Sequence, residues 1–177
     1  MLRSLLLLIL AALTGQAGAD GVAKACNLKI ERDRIGALVL GQRISGGEQF
    51  RSLRDIELPG ESNQVAKEIV FACGAKVLAI LGSRSEVATL VVQDSSIPDM
   101  NGIRIGMTFQ HVRQKLPGAK LYSGEEEGGY LTLGSGRLRY IFATAGLAHT
   151  VLSNQRELVP LAKSQALEEI RLMLPAK

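Results

Sequence analysis

The hydrophobic pattern at the start of the chain is that of a secretory signal peptide. Residues 5–13 form an unbroken apolar run behind a positively charged start, and residues 17–19 fit the small-residue pattern of a cleavage site. This run is about half as long as a membrane-spanning helix requires, which disfavours a retained N-terminal anchor. We therefore expect residues 1–19 to be a cleaved signal peptide, with cleavage between Ala19 and Asp20.

The clearest periodic pattern of the mature chain lies in its second half. Phe109, Val112 and Leu116 recur at helical spacing. Thr108 precedes them, and its hydroxyl can accept a hydrogen bond from the first backbone N–H groups of a helix. Extended runs typical of strands follow at 120–123, 130–133, 138–143 and 147–152. The pattern predicts one helix followed by an antiparallel meander.

The rest of the mature chain gives two further predictions. In the first half, 77–81 and 87–92 are the clearest strands. At the end, residues 157–174 have apolar positions at helical spacing and precede Pro175, which favours a closing helix. The inward side of this helix would carry Leu158, Leu161, Ala162, Ala166 and Ile170. The predicted fold class is α+β, an antiparallel β-sheet with helices packed on one face.

An internal repeat is visible at a constant offset of 60 residues. Gly74 then matches Gly134, and Val91 matches Val151. The repeat predicts two similar α+β units, 20–95 and 96–177, with the C-terminal helix in the second. Unrelated hairpins that share an apolar pattern are the alternative explanation.

A family resemblance begins at the predicted helix start. Residues 102–113 read Gly-Ile-Arg-Ile-Gly-Met-Thr-Phe-Gln-His-Val-Arg and run into Leu-Pro-Gly. This stretch resembles the opening of small bacterial envelope proteins. Tandem helix-plus-meander units of this size are similar to the β-lactamase-inhibitor-protein-like superfamily, which also includes small outer-membrane assembly lipoproteins. The resemblance implies a fold, and no functional residue is carried over, because the chain lacks a lipobox and has one cysteine pair and few aromatic residues.

The chain has two cysteines, Cys26 and Cys73. An even number of cysteines in an exported chain predicts a disulfide bond, because the compartments beyond the inner membrane are oxidising. A lipid anchor on Cys26 is disfavoured, since the charged Lys24 lies where a lipobox needs an apolar or small residue. We expect a structural bridge between the two cysteines.

Charge and composition narrow the choice of partners. The whole chain has a net charge of +4, with no Trp, three Tyr and four Phe. This mildly basic balance favours weak attraction to anionic surfaces. It disfavours nucleic-acid binding, which uses clustered cations interleaved with aromatic side chains.

No catalytic, cofactor or metal motif is present in the sequence. His111 and His149 are the two histidines, and neither has a carboxylate or cysteine at ligand spacing beside it. No G-x-S-x-G elbow occurs, and the Gly-Ser segments do not precede a helix that would bind phosphate. We expect no enzyme activity and no cofactor.

The sequence offers one candidate surface for a partner. The carboxylates of Glu125, Glu126 and Glu127 form the strongest charge run, which is typical of a solvated hairpin loop. The functional alternatives are an acidic tip for a basic partner and a cation site, which would require a bent loop because consecutive carboxylates on an extended backbone point to alternate sides. Tyr130 follows this run, while Arg137 and Arg139 flank Leu138 on the neighbouring strand and would present a basic stripe or block edge-to-edge pairing.

These observations predict an exported, periplasmic or secreted, small non-enzymatic binding module. Its partner would be a protein or an envelope polymer, with no nucleic acid and no stable membrane anchor after cleavage. Two other functions stay open. One is an envelope-assembly or maintenance protein; the other is a hydrolase in which His111 or His149 meets a carboxylate.

Overall fold

An eight-stranded antiparallel β-sheet is the central element of the fold. The computed structural model describes residues 26–44, 50–57, 65–124 and 129–175. The sheet strands are β3 (Phe50–Glu57), β4 (Val65–Phe71), β5 (Lys76–Leu81), β6 (Val87–Val92), β7 (Lys120–Gly124), β8 (Tyr130–Ser135), β9 (Leu138–Phe142) and β10 (Leu167–Met173). A separate hairpin pairs β1 (Arg34–Ile35) with β2 (Leu38–Val39). The helices are α1 (Phe109–Lys115), α2 (His149–Leu152) and α3 (Gln155–Leu161), and a 3-10 turn at Ala162–Ser164 follows α3.

The sheet consists of two four-stranded meanders joined through their last strands. Its order is β3-β4-β5-β6-β10-β9-β8-β7, so β6 pairs with β10 at the centre, and β3 and β7 are the edges. The predicted antiparallel sheet with helices is therefore confirmed at the level of fold class.

The hydrophobic core lies against one face of this sheet, which we name the inner face. Ile69, Leu90, Ile170 and Tyr140 from four of its strands are fully buried there. The side chains that cover them come from the N-terminal segment, from the chain before α1 and from the helices. Phe109 at the start of α1 packs edge-on against the ring of Phe142, with the ring centroids 5.2 Å apart.

The predicted helix start is confirmed in detail. The backbone N–H of His111 donates to the Thr108 hydroxyl at 3.4 Å, and Phe109 and Val112 are buried beneath α1. The strands predicted at 77–81, 87–92, 120–123, 130–133 and 138–143 are confirmed as β5, β6, β7, β8 and β9.

Two predictions near the C-terminus are wrong. The strand predicted at 147–152 is a helix, α2, and the offset of 60 therefore sets β6 opposite a helix. The closing helix predicted at 157–174 ends early, and the chain continues as β10. Here long-range pairing outweighs helical periodicity, because β10 satisfies the backbone groups of both β6 and β9. Of the predicted inward side, Leu158 and Ala162 are buried, whereas Leu161 at the end of α3 is 56% exposed and Ala166 is exposed. Ile170 is buried as part of the strand β10.

The expected disulfide bond is present. The sulfur atoms of Cys26 and Cys73 are 2.01 Å apart. The bond ties the beginning of the described chain to the turn between β4 and β5. Within the ranges that the structure describes, no helix is long and apolar enough to cross a membrane.

Candidate functional site

The second face of the sheet carries a row of side chains that differs from the core. Ala66 and Val91 belong to this face; both are buried, yet neither is part of the core cluster. We name it the open face. Direct cross-strand pairing defines its central row, which runs from edge to edge as Arg54, Glu68, Leu78, Val91, Arg171, Arg139, Gly134 and Lys120.

Two arginines of this row lie directly opposite each other on adjacent strands. Arg171 on β10 pairs in register with Arg139 on β9. Like charges in this position destabilise a sheet. Nε of Arg171 contacts the carboxylate of Glu169, which also accepts a 2.9 Å hydrogen bond from the amide of Gln93. One of the two positive charges is thus compensated within the protein.

The second guanidinium has a different environment. Nη1 of Arg139 donates to the backbone carbonyls of Gly136 and Leu138, both at 3.0 Å. Its guanidinium carbon lies 5.6 Å from the ring centroid of Tyr122, within cation–π distance. No carboxylate among the described residues forms an ion pair with it. The described neighbours that hold Arg139 in place are thus neutral groups, which do not compensate its charge.

Two tyrosines extend this basic region towards the β7 edge. Tyr122 and Tyr130 are 42% and 41% exposed, and strand alternation places both on the open face. Each ring covers a glycine of the neighbouring strand. A Cβ on Gly134 would lie 2.8 Å from the Tyr122 ring, and one on Gly124 would lie 2.7 Å from that of Tyr130. Because glycine has no side chain, the rings rest on the backbone and present surface to solvent.

A depression of about 400 Å³ lies on the other side of the arginine pair. Leu78 and Val91 give it aliphatic lining, and Glu68, Lys76 and Asp94 give it polar lining. Glu68 is already paired with Arg54 on the edge strand, at 2.8 Å. The depression thus gives the central row of the open face an apolar part, formed by Leu78 and Val91.

Asp94 on this depression is held ionised. Burial opposes its charge. Hydrogen bonds from the Ser96 hydroxyl and backbone N–H and from the backbone N–H of Lys76, together with the charge of Lys76, outweigh that effect. Their sum holds the pKa of Asp94 below its ordinary value.

The structure brings together only part of the surface predicted from the sequence. Tyr130 and Arg139 both lie on the open face, whereas Arg137 is exposed in the turn between β8 and β9. The run Glu125, Glu126 and Glu127 lies outside the described residues, as do Ala19 and Asp20 at the predicted cleavage site.

Two important residues of the open face were missed by sequence reasoning. Tyr122 follows from alternation along its strand, since Lys120 and Tyr122 point the same way. Arg171 was missed because its segment was assigned to a helix. No local pattern in the sequence indicates that Arg171 and Arg139 face each other.

The buried carboxylate of the core is fully engaged in hydrogen bonds. Asp99 accepts from the backbone N–H groups of Asn101 and Ile103, at 2.8 and 2.7 Å. It also accepts a 2.7 Å bond from the hydroxyl of Tyr140. Burial, and then the hydrogen bond and charge of Asp99, raise the pKa of Tyr140 well above its ordinary value. These contacts fix the turn before α1, and we assign Asp99 a structural role.

The two histidines and a second groove are weaker candidates for a functional site. His111 and His149 are exposed on α1 and α2, and neither imidazole forms an ion pair with a carboxylate of the described ranges. Across the same ranges no three His, Cys, Asp or Glu side chains are grouped as a metal site would require. A second groove, of about 340 Å³, separates α1 from α3 and is lined by Phe109, Gln110, Arg113, Gln114, Pro117, Val159 and Lys163.

The fold and the site together define an α+β protein whose sheet is covered by helices on its inner face and, among the described residues, carries no helix on its open face. No protein-family model matches the chain, and no curated protein matches it significantly. Among solved structures it is similar to the crystal structure of the uncharacterized protein yfeY from Escherichia coli, with a TM-score of 0.58 and 17% identity. The similarity covers 82% of this chain and 99% of that chain, and it shows a shared fold alone. The resemblance to β-lactamase-inhibitor-protein-like proteins stays a prediction.

Proposed function

We propose that the protein is an exported, non-enzymatic binding module of the periplasm that binds a macromolecular partner on its open face. The observation that carries this proposal is the group formed by Tyr122, Tyr130 and Arg139, in which two exposed rings share one surface with a guanidinium that no described carboxylate pairs with. Tyrosine and arginine are enriched among the residues that dominate binding energy at protein interfaces.

The position of Arg139 supports a binding role over a protective one. Charges on edge strands prevent two sheets from pairing side by side. β9 is not an edge strand, because β8 and β7 lie between it and the end of the sheet. A charge on the face of an inner strand does not block edge pairing, so Arg139 requires another explanation, and recognition of a partner supplies one.

Export is supported by two independent features. The leader at residues 1–19 has the anatomy of a signal peptide. The bond between Cys26 and Cys73 is typical of proteins from oxidising compartments. A role in envelope assembly or maintenance is the alternative, in which the same face contacts a component of a membrane complex.

Photo-crosslinking in the native cells tests the proposed face. Tyr122 is replaced by the photoreactive residue p-benzoyl-phenylalanine in one strain, and Leu161, 56% exposed on α3, is replaced in a second. A discrete adduct at position 122 that is absent at position 161 is expected. Equal labelling at the two positions, or labelling at 161 alone, would contradict the proposal. Mass spectrometry of the adduct then separates a free partner from an assembly complex.

We also propose that the two meanders arose by duplication of one unit. The segment 96–177 contains four consecutive sheet strands, the Phe109–Phe142 contact and the Tyr140–Asp99 hydrogen bond. Expressed alone, this segment should therefore unfold cooperatively in urea. A fragment without a cooperative transition would mean that the halves depend on one shared sheet.

A further inference from the structure

We propose that the partner of the open face is an acidic polypeptide segment, which places a carboxylate on the pair formed by Arg139 and Arg171 and an apolar side chain in the depression beside Leu78 and Val91. This inference rests on the proposed function and names the chemistry of the partner.

The arginine pair carries the first half of the inference. Each guanidinium has five N–H donors. Within the described chain, Arg139 uses only Nη1 and Arg171 uses only Nε in hydrogen bonds or ion pairs. The other guanidinium nitrogens of both have no acceptor among the described residues. The two residues are opposite in register on adjacent strands, and the guanidinium of Arg139 lies over Gly134 and the Tyr122 ring, on the side of the β7 edge, where a carboxylate from a partner can meet it.

A carboxylate fits this pair well. Arginine forms bidentate, charge-assisted hydrogen bonds with carboxylates. The guanidinium of Arg139 lies over the ring of Tyr122, which fixes its position. Lys120, at the end of the same row, adds positive charge along the path towards the β7 edge. Glu169 balances part of this charge, so the positive charge that remains matches a single carboxylate.

The second half of the inference, the apolar side chain of the partner, rests on the depression beside Leu78 and Val91. In the central row, Val91 is the direct neighbour of Arg171, and Leu78 is the next residue along. Neighbouring strands lie about 4.8 Å apart, so the centre of the depression is roughly 10 Å from the arginine pair. An extended peptide advances about 3.3 Å per residue and points every second side chain to the same side. The matching partner has an aspartate or glutamate two or four residues from a large apolar side chain.

Selection from a library of random displayed peptides tests this chemistry, with the purified mature protein as the target. The expected result is enrichment of peptides that carry Asp or Glu close to Leu, Ile, Phe or Met. An enriched peptide is then synthesised and its affinity measured for variants of the protein. R139Q and R171Q should each weaken binding by about tenfold or more, the loss expected for a charge-assisted pair.

The control variant is R156Q. Arg156 is exposed on α3, outside the open face, so this variant removes the same charge away from the proposed site. We expect the affinity of this variant to stay within about twofold of that of the unmodified protein. L78Q should weaken binding without changing the dependence on salt, because it removes an apolar contact and no charge. Thermal unfolding of every variant verifies that the fold is retained.

The outcomes separate this inference from the proposed function. Enriched peptides without acidic residues, or binding that R139Q leaves unchanged, would overturn the acidic-segment inference, while crosslinking at position 122 would still support a partner on the open face. If dextran sulfate bound as tightly as the enriched peptide, the open face would attract anions in general. This result would also overturn the acidic-segment inference. The absence of crosslinks at position 122 would count against the proposed function itself.

Discussion

Tyr140 donates a 2.7 Å hydrogen bond to Oδ2 of Asp99, and this bond joins β9 to the turn that precedes α1. Both residues are completely buried. A buried carboxylate requires donors, because its desolvation otherwise costs several kcal/mol. Asp99 obtains them from its own turn and from a strand 41 residues further along the chain.

Loss of the tyrosine hydroxyl should therefore destabilise the protein. In Tyr140→Phe, Oδ2 of Asp99 keeps only the weak contact with the side-chain amide of Asn101, at 3.4 Å. We expect the free energy of unfolding to fall by about 1–3 kcal/mol. Urea denaturation measures the change, with Tyr130→Phe as the matched control, since that hydroxyl is on an exposed residue. Equal stability of the two variants would show that the Asp99 bond contributes nothing.

The same pair predicts a loss of stability at alkaline pH. The pKa of Tyr140 is raised in the folded state, so the folded protein retains a proton that the unfolded chain loses above about pH 10. The stabilisation is complete below that pH and falls by about 1.4 kcal/mol per unit above it. Urea midpoints compared between about pH 8 and pH 11 should decline more steeply in the natural protein than in Tyr140→Phe. If the urea midpoints of the two proteins declined in parallel, the assignment of this pH dependence to Tyr140 would be wrong.

The two sides of the molecule differ in how far the sequence predicts them. Thr108, Phe109 and Val112 define α1 through local spacing and a local cap, and both are visible in the sequence. Arg171 belongs to a strand whose identity depends on β6 and β9, which lie far away along the chain. The inner face is therefore largely predictable, whereas the row that unites Arg171 with Arg139 is set by pairing that no local pattern encodes.

The contact between the ring of Tyr122 and Gly134 provides a test of how this tyrosine is held on the open face. In Gly134→Ala, the new Cβ lies 2.8 Å from the Tyr122 ring and 3.3 Å from Nη1 of Arg139, so the ring must move. We expect the free energy of unfolding to fall by about 1–3 kcal/mol. In a Tyr122→Ala background the same substitution should cost less, because the obstructing ring is gone.

A matched control for this cycle is Gly118→Ala. A Cβ at position 118 meets nothing within 4 Å. Its effect on urea denaturation should stay within about 0.5 kcal/mol in either background. An identical cost of Gly134→Ala with and without the tyrosine would mean that the ring does not rest on that glycine.

The mass of the natural protein tests the leader and the cysteines together. Protein isolated from the periplasmic fraction should begin at Asp20, and its intact mass should lie two hydrogens below that of the reduced chain, because Cys26 and Cys73 are bonded. Intact-mass spectrometry before and after reduction measures both. A chain that still carries residues 1–19, or one whose mass does not change on reduction, would remove the basis for export.

The bond between Cys26 and Cys73 should contribute strongly to stability, because it closes a loop with a sequence separation of 47 residues. In the chain-entropy treatment, a loop of this size stabilises the folded state by about 4 kcal/mol. Replacing both cysteines by serine should lower the free energy of unfolding by about that amount. Urea denaturation with and without reductant checks this. Reductant should lower the free energy of unfolding of the natural protein towards that of the double variant, and it should leave the free energy of unfolding of the double variant unchanged. If reductant changes the free energy of unfolding of neither protein, the disulfide bond does not restrain the unfolded chain.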